Sequence, residues 1–307
     1  MKILLINHYA GSPNLGMEFR PYYVTKGWVK LGHEVLIVGG SYSHLRKVQP
    51  QSCEEMIDDM RYRWVKVNPY KGNGIGRIIS MFSFVTKLYC NYRRYLRNFK
   101  PDIVIASSTY PLDIYPAYRI ARHYHAKLIY EVHDLWPLSP MELGGYSKKH
   151  PFIRIMQKAE DDCYRYADAV VSMLPKAEEH MREHGLTRDK FHYVPNGIVL
   201  SDWNNPKGIP EEHGLLLSKL RAEGKFIVGF AGAHGIANSL YAVIDAVSSL
   251  TEQNVVLVLV GGGQEKENLI KYAHKKGVTN VYFLLPINKL AIPNLLKEMD
   301  VLYIGLQ

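Results

Sequence analysis

Short apolar runs alternate with amphipathic stretches along almost the whole chain. KILLIN (2–7) leads into a helical pattern from about Glu18 to Leu31, and EVLIVG (34–39) follows. RWVKV (63–67) reads as another strand, and a long helical pattern fills 75–99. Next come DIVIAS (102–107), a helix over 113–124 and KLIYEV (127–132). A helix over 151–166 precedes DAVVSM (168–173), a helix over 175–184 and FHYV (191–194). Strands that recur between helices imply βα units around a parallel sheet. Their continuous apolar character indicates sheets covered on both faces.

The stretch 195–225 breaks this rhythm. PNGIVLSDWNNPKGIPEEHG (195–214) holds three Pro, three Gly and three Asn and reads as a linker. The alternation then restarts with KFIVGFA (225–231), NVVLVLV (254–260), NVYFLL (280–285) and DVLYIGL (300–306), with helices over 238–250, 264–275 and 288–298 between them. The expected fold class is α/β, with two Rossmann-like domains in tandem. The domains are 1–198 and 225–307, joined by a linker over 199–224. A doubly wound half has about five or six strands, so the second domain is expected to be incomplete.

Composition narrows the class. The chain is 47% hydrophobic and 22% charged, as in globular proteins. Its first apolar run is too short for a signal peptide. Three cysteines, Cys53, Cys90 and Cys163, are too few and too scattered for a disulfide framework or zinc site, and fit a reducing cytoplasm. A net charge of +9 leaves nucleic acid, anionic membrane and phosphorylated substrates as partners. No nucleic-acid module is recognisable, so nucleic acid is not expected.

Candidate chemistry lies at strand exits, where open α/β sheets bind ligands. The loop HYAGSPNLGMEFRP (8–21) exceeds the usual length of a βα connection. Gly11 and Gly16 flank its turn. Ser12, Glu18 and Arg20 offer polar groups, with Arg20 a cation near a helix N-terminus. YEVHDLWP (130–137) places His133 and Asp134 directly after a strand, where they can bond sugar hydroxyls or move protons. In FAGAHGIANSL (230–240), Gly232 and Gly235 let the backbone approach a diphosphate. His234 adds a hydrogen bond there, and a helix starting near Asn238 offers free N–H groups. LVGGGQEKENL (259–269), with Gly262, is a second glycine-rich exit in the same domain. Over 77–100, two apolar stripes and the terminal Arg93, Arg94, Arg97 and Lys100 suit either a buried helix or a bilayer surface. GNGIG (72–76) reads as a turn, and there is no P-loop, H-E-x-x-H or Asp-x-Asp.

HYAGSPNLGMEFRPYYVTKGWVKLGHEV, YEVHDLWP, VPNGI (194–198), GFAGAHGIANSL and VGGG occur here in one order. Together they resemble glycosyltransferase family 4 of the GT-B fold over essentially the whole chain. They look most like the branch that adds acetamido-deoxy sugars such as N-acetylfucosamine to O-antigen or capsule intermediates. The resemblance implies a metal-independent, retaining transfer from a nucleotide-diphosphate sugar, with no cofactor or metal. The first domain would bind a polyprenyl-diphosphate-linked acceptor, through the loop carrying Gly11, Ser12, Glu18 and Arg20. The second would bind the donor. Gly16 would lie near the donor phosphates, His133 near the donor sugar and Gly232–Gly235 on the diphosphate. Pro286 and Ile287 would meet the nucleobase. The resemblance also implies a cytoplasmic enzyme, peripheral at the inner face of the plasma membrane.

Two departures stand out. Where many family members carry Arg and Lys on the donor loop, Ala233 and Asn238 stand here. The family's pair of Glu separated by seven residues would follow the last strand, beyond Gln307. Two alternatives therefore stay open: a non-catalytic binding protein and a nucleotide-sugar 2-epimerase of the same fold.

Overall fold

The computed structural model describes residues 1–72, 74–250 and 253–305. The last residue of the expected strand 300–306 and Asn73 of the expected turn 72–76 lie outside them. The chain divides into two compact units, Met1–Asn196 and Gly197–Gln307.

The first unit carries strands β1 (Lys2–Ile6), β2 (Glu34–Gly40), β3 (Glu54–Ile57), β4 (Met60–Val65), β5 (Ile103–Ala106), β6 (Lys127–Val132), β7 (Ala169–Ser172) and β8 (Phe191–Tyr193). Its helices are α1 (Arg20–Lys30), α2 (Ile75–Leu96), α3 (Ile114–Tyr124), α4 (Leu138–Gly144), α5 (Pro151–Tyr166) and α6 (Glu178–Glu183). The sheet order is β3-β4-β2-β1-β5-β6-β7-β8, parallel throughout except for β3. Side chains leave a strand alternately to its two faces. Leu4 and Ile6 accordingly join one core cluster, while Ile3 and Leu5 join the other.

The β3–β4 hairpin is absent from the expected pattern. It turns at Asp58 and Asp59, both at positive φ (47° and 63°). Asp tolerates that conformation, and such a turn matches the twist of paired strands. On α2, Met81, Phe84, Leu88, Tyr92 and Leu96 are buried in the core. Ile75, Ile79, Phe82 and Tyr89 remain exposed. Among the described residues, no helix is long and apolar enough to cross a membrane.

The second unit contains α7 (Leu200–Asn204), α8 (Glu211–Ala222), β9 (Phe226–Ala233), α9 (Leu240–Ser248), β10 (Val255–Gly262), α10 (Lys266–Lys275), β11 (Val281–Leu284), α11 (Ile292–Lys297) and β12 (Val301–Leu302). The strands are parallel, in the order β11-β10-β9-β12. The expected linker 199–224 needs correction, because it contains α7 and α8, and Leu217 and Leu220 of α8 enter the core with Ile227 and Val258. Burying two leucines stabilises α8 by roughly 3–6 kcal/mol, enough to override the turn-forming residues before it.

Candidate active site

In each sheet the chain reverses direction of winding beside its first strand: between β1 and β5 in the first, and between β9 and β12 in the second. Connections diverge there and leave room for a ligand.

In the first unit, β6 delivers Glu131 and His133 to this end of the sheet. Glu131 is 6% exposed and Arg20 7%. Arg20 Nε donates to Glu131 Oε1 at 3.0 Å. The buried Ser107 Oγ donates to Glu131 Oε2 at 2.6 Å. His133 Nε2 lies 3.2 Å from Glu131 Oε2 and 3.0 Å from Ser107 Oγ. Burial alone would raise the Glu131 pKa, but the hydrogen bond and charge of His133, with Arg20 and Ser107, hold it down to about 2. Burial alone would lower His133, but Glu131, by hydrogen bond and charge, and Glu18, by charge, leave it raised. A carboxylate thus keeps an imidazolium in place. His133 Nδ1 stands 3.9 Å from Glu18 Oε1, beyond hydrogen-bond length.

Three expectations change here. Arg20 is not a cation available to an acceptor. Besides Glu131, its guanidinium donates to the carbonyls of Val194 and Pro195 and to Asn196 Oδ1, which pins the end of the unit to α1. Asp134, expected with His133 to bond sugar hydroxyls or move protons, is engaged within its own loop. It accepts from Trp136 Nε1 at 3.2 Å and Ser139 Oγ at 2.5 Å, fastening the turn into α4. Ser12 is fully buried, and its hydroxyl accepts from Leu15 N.

Gly11 and Gly16 shape the loop after β1. A Cβ on Gly11 would lie 2.0 Å from the carbonyl oxygen of Gly16, so only glycine fits. Gly16 has φ of 109°, which L side chains rarely adopt. At the start of this loop and after β5 lie buried groups absent from the expected set. Burial raises Asp113 to about 7 although it accepts from Ser108 N, and its Oδ1 has no partner among the described residues. The ring of His8 stacks on Phe84 and meets Tyr110 Oη at 2.7 Å.

The second unit's site is built mostly of backbone. Gly232 pairs with Gly261, and Ala233 with Gly262, so Gly232 belongs to β9 and not to the loop after it. A Cβ on Gly261 would lie 1.9 Å from the Gly232 oxygen, and one on Gly263 2.4 Å from the His234 oxygen. His234 N donates to the Gly262 carbonyl at 2.8 Å. The His234 side chain is fully buried, and among the described residues neither ring nitrogen has a hydrogen-bond partner. Burial and nearby Lys266 lower its pKa to about 4, so it is neutral at pH 7. Buried polar groups without partners are rare and call for an explanation.

Lys266, which the motifs did not single out, brings a cation to these strand ends. Its Nζ donates to the carbonyls of Gly261 and Leu284 at 2.9 and 2.8 Å. α9 begins at Leu240, after a 3₁₀ turn over Ile236–Asn238 in which Asn238 Nδ2 donates to the Ala233 oxygen. Gly235 N donates to that same oxygen at 3.1 Å. Pro286 is exposed, and Ile287 packs against the core.

The profile of the family described as "Glycosyl transferase 4-like domain" matches residues 16–197, and that of "Glycosyl transferases group 1" matches 217–306. No curated protein matches the chain. HepE of Anabaena, solved with UDP-glucose, is similar in structure with a TM-score of 0.65 at 19% identity, over 98% of this chain and 73% of HepE. Sucrose-phosphate synthase of Thermosynechococcus elongatus gives a TM-score of 0.72 at 15% identity, over 98% and 74%. WaaG, a glycosyltransferase involved in lipopolysaccharide biosynthesis, gives 0.65 at 17% identity, over 98% and 74%. With more than half of its residues matched by the first profile, the chain belongs to the glycosyl transferase 4-like family, as a glycosyltransferase with the two-domain GT-B fold.

Proposed function

We propose that this chain transfers a sugar from a nucleotide-diphosphate donor to a lipid-linked or saccharide acceptor in surface polysaccharide synthesis. The donor is a UDP-linked acetamido-deoxyhexose. UDP complexes of HepE and the lipopolysaccharide role of WaaG support this reading. The observation that carries it is the buried, unpartnered His234 imidazole among glycine backbones beside Lys266. A diphosphate needs such a combination: close main-chain approach, a neutral donor and one cation. Pro286 and Ile287 meet the base, and Gly235, Gly262 and Asn238 border the phosphates.

Transfer proceeds with retention and without metal. The acceptor hydroxyl attacks from the face the diphosphate leaves, and the diphosphate's growing charge is met electrostatically. His133 is a positioning donor to the sugar through Nδ1, held charged by Glu131. Glu18 and Gly11 meet the acceptor. The acceptor is a polyprenyl diphosphate carrying the growing saccharide. The protein works in the cytoplasm at the inner membrane face, where the exposed Ile75, Ile79 and Phe82 of α2 touch the bilayer. The test incubates the chain with a panel of UDP-sugars and a polyprenyl-diphosphate saccharide and reads the product by mass spectrometry. NMR of the new anomeric centre then gives the stereochemistry. Transfer from an acetamido-deoxyhexose donor with retention is expected. No transfer from any donor, or an inverted product, contradicts the reading.

A further inference from the structure

Away from the sheet ends, α5 and α6 bring four electron-pair donors together. His180 lies on α6 and His184 just after it, one turn apart and so on one face. Glu160 and Asp161 face them from α5. His180 Nε2 is 3.1 Å from Glu160 Oε1, and His184 Nδ1 is 3.1 Å from Asp161 Oδ1. One ligand atom each from Glu160, His180 and His184 falls within 4.8 Å of the others.

The local hydrogen bonding is oversubscribed. Gln157 Nε2 lies 2.8 Å from Glu160 Oε2, 3.0 Å from Asp161 Oδ1 and 2.8 Å from His184 Nδ1. With Nδ1 unprotonated the two amide hydrogens face three acceptors, and with Nδ1 protonated toward Asp161 it meets the amide donor instead, so neither tautomer satisfies the set. Glu160 is itself 1% exposed and already accepts from Tyr164 Oη at 2.9 Å. A cation at this point would relieve the surplus of lone pairs.

We propose that Glu160, His180 and His184, with Asp161 as the outer ligand, form a binding site for a divalent transition-metal ion of the Zn²⁺ class. Two imidazoles with carboxylates select such an ion over Mg²⁺ or Ca²⁺. Tetrahedral zinc has ligand atoms about 3.3–3.6 Å apart, so small side-chain rotations close the set. Asp161 and His184 border a groove of about 480 Å³ that also meets Tyr164, Glu183 and Lys190, which gives an ion a path from solvent. α5 precedes β7 and α6 follows it, so the ion would bracket that strand, the neighbour of β6. The site is a clip on the fold, separate from the transfer chemistry.

The test titrates the chelator-stripped full chain with Zn²⁺ by calorimetry and follows its Tm. One equivalent and a raised Tm are expected. His180→Gln and His184→Gln are expected to weaken binding roughly a hundredfold, while His274→Gln, at an exposed position in the other unit, leaves it intact. Co²⁺ in the unmutated chain is expected to show the visible spectrum of a tetrahedral site with nitrogen and oxygen ligands, a readout that holds even if a variant fails to fold. Absence of uptake, uptake by both His variants as tight as by the unmutated chain, or an octahedral aquo-type Co²⁺ spectrum would overturn the proposal.

Discussion

At the end of β6 each buried charge is matched. Arg20 holds Glu131, Glu131 holds His133, and Ser107 serves both. At the end of β9, His234 is buried just as deeply, and among the described residues its ring has no hydrogen-bond partner. The first arrangement fixes a charged group in one orientation before any ligand arrives. The second leaves hydrogen-bonding capacity unspent, at a cost of about 1–3 kcal/mol that a ligand can recover. On the proposed function, the first serves as a rigid group for the sugar and the second as a cradle whose affinity comes from the donor.

Breaking the matched side should have the largest effect. Arg20→Ala strands a buried carboxylate and is expected to cost about 3–5 kcal/mol of stability, read by denaturant unfolding. His133→Ala removes only the end of the network. It is expected to lower transfer roughly a hundred- to a thousandfold with the circular dichroism unchanged. Near-normal transfer by that variant would remove His133 from the chemistry.

On the open side, Gly263→Ala forces a Cβ against the His234 backbone. About 1–3 kcal/mol of overpacking should appear as a lower Tm together with weaker UDP binding. His234→Phe should separate the two sites most sharply. It removes two orphaned nitrogens next to Phe230 and Phe283 and is expected to stabilise the fold by about 1 kcal/mol while weakening UDP about tenfold. A loss of stability there would show instead that the larger ring overfills the site.

The smallest effect concerns pH. Glu131 has its pKa depressed to about 2 from 4.5, so its stabilisation is present above 4.5 and lost as pH falls toward 2. His133 has its pKa raised above 6.5, so its stabilisation is present below 6.5 and lost as pH rises through the folded value. The pair should stabilise most between about 4.5 and 6.5. His133→Gln should flatten the alkaline limb of the Tm profile.

Local periodicity exposed what depends on neighbours in sequence. The helices over 113–124 and 151–166 and the strand over 127–132 match α3, α5 and β6 to within a residue. His133 was legible because it directly follows an apolar run. Its partner was not, because Glu131 lies inside that run and reads as a strand position. The Arg20–Glu131 pair spans 111 residues, a distance no motif reports. Lys266 was not legible, because its partners, the carbonyls of Gly261 and Leu284, are brought beside it only by the sheet. The helix α8 was hidden by the Pro, Gly and Asn before it, and only the core it completes reveals it.

The most direct test is calorimetric titration of UDP into the unmutated chain and into His234→Phe, with Tm measured on both. One-to-one binding by the unmutated chain, weakened about tenfold in a variant that is at least as stable, is the expected result. Equal UDP affinity in the two proteins would contradict the account, because the unpartnered imidazole would then have no diphosphate to meet.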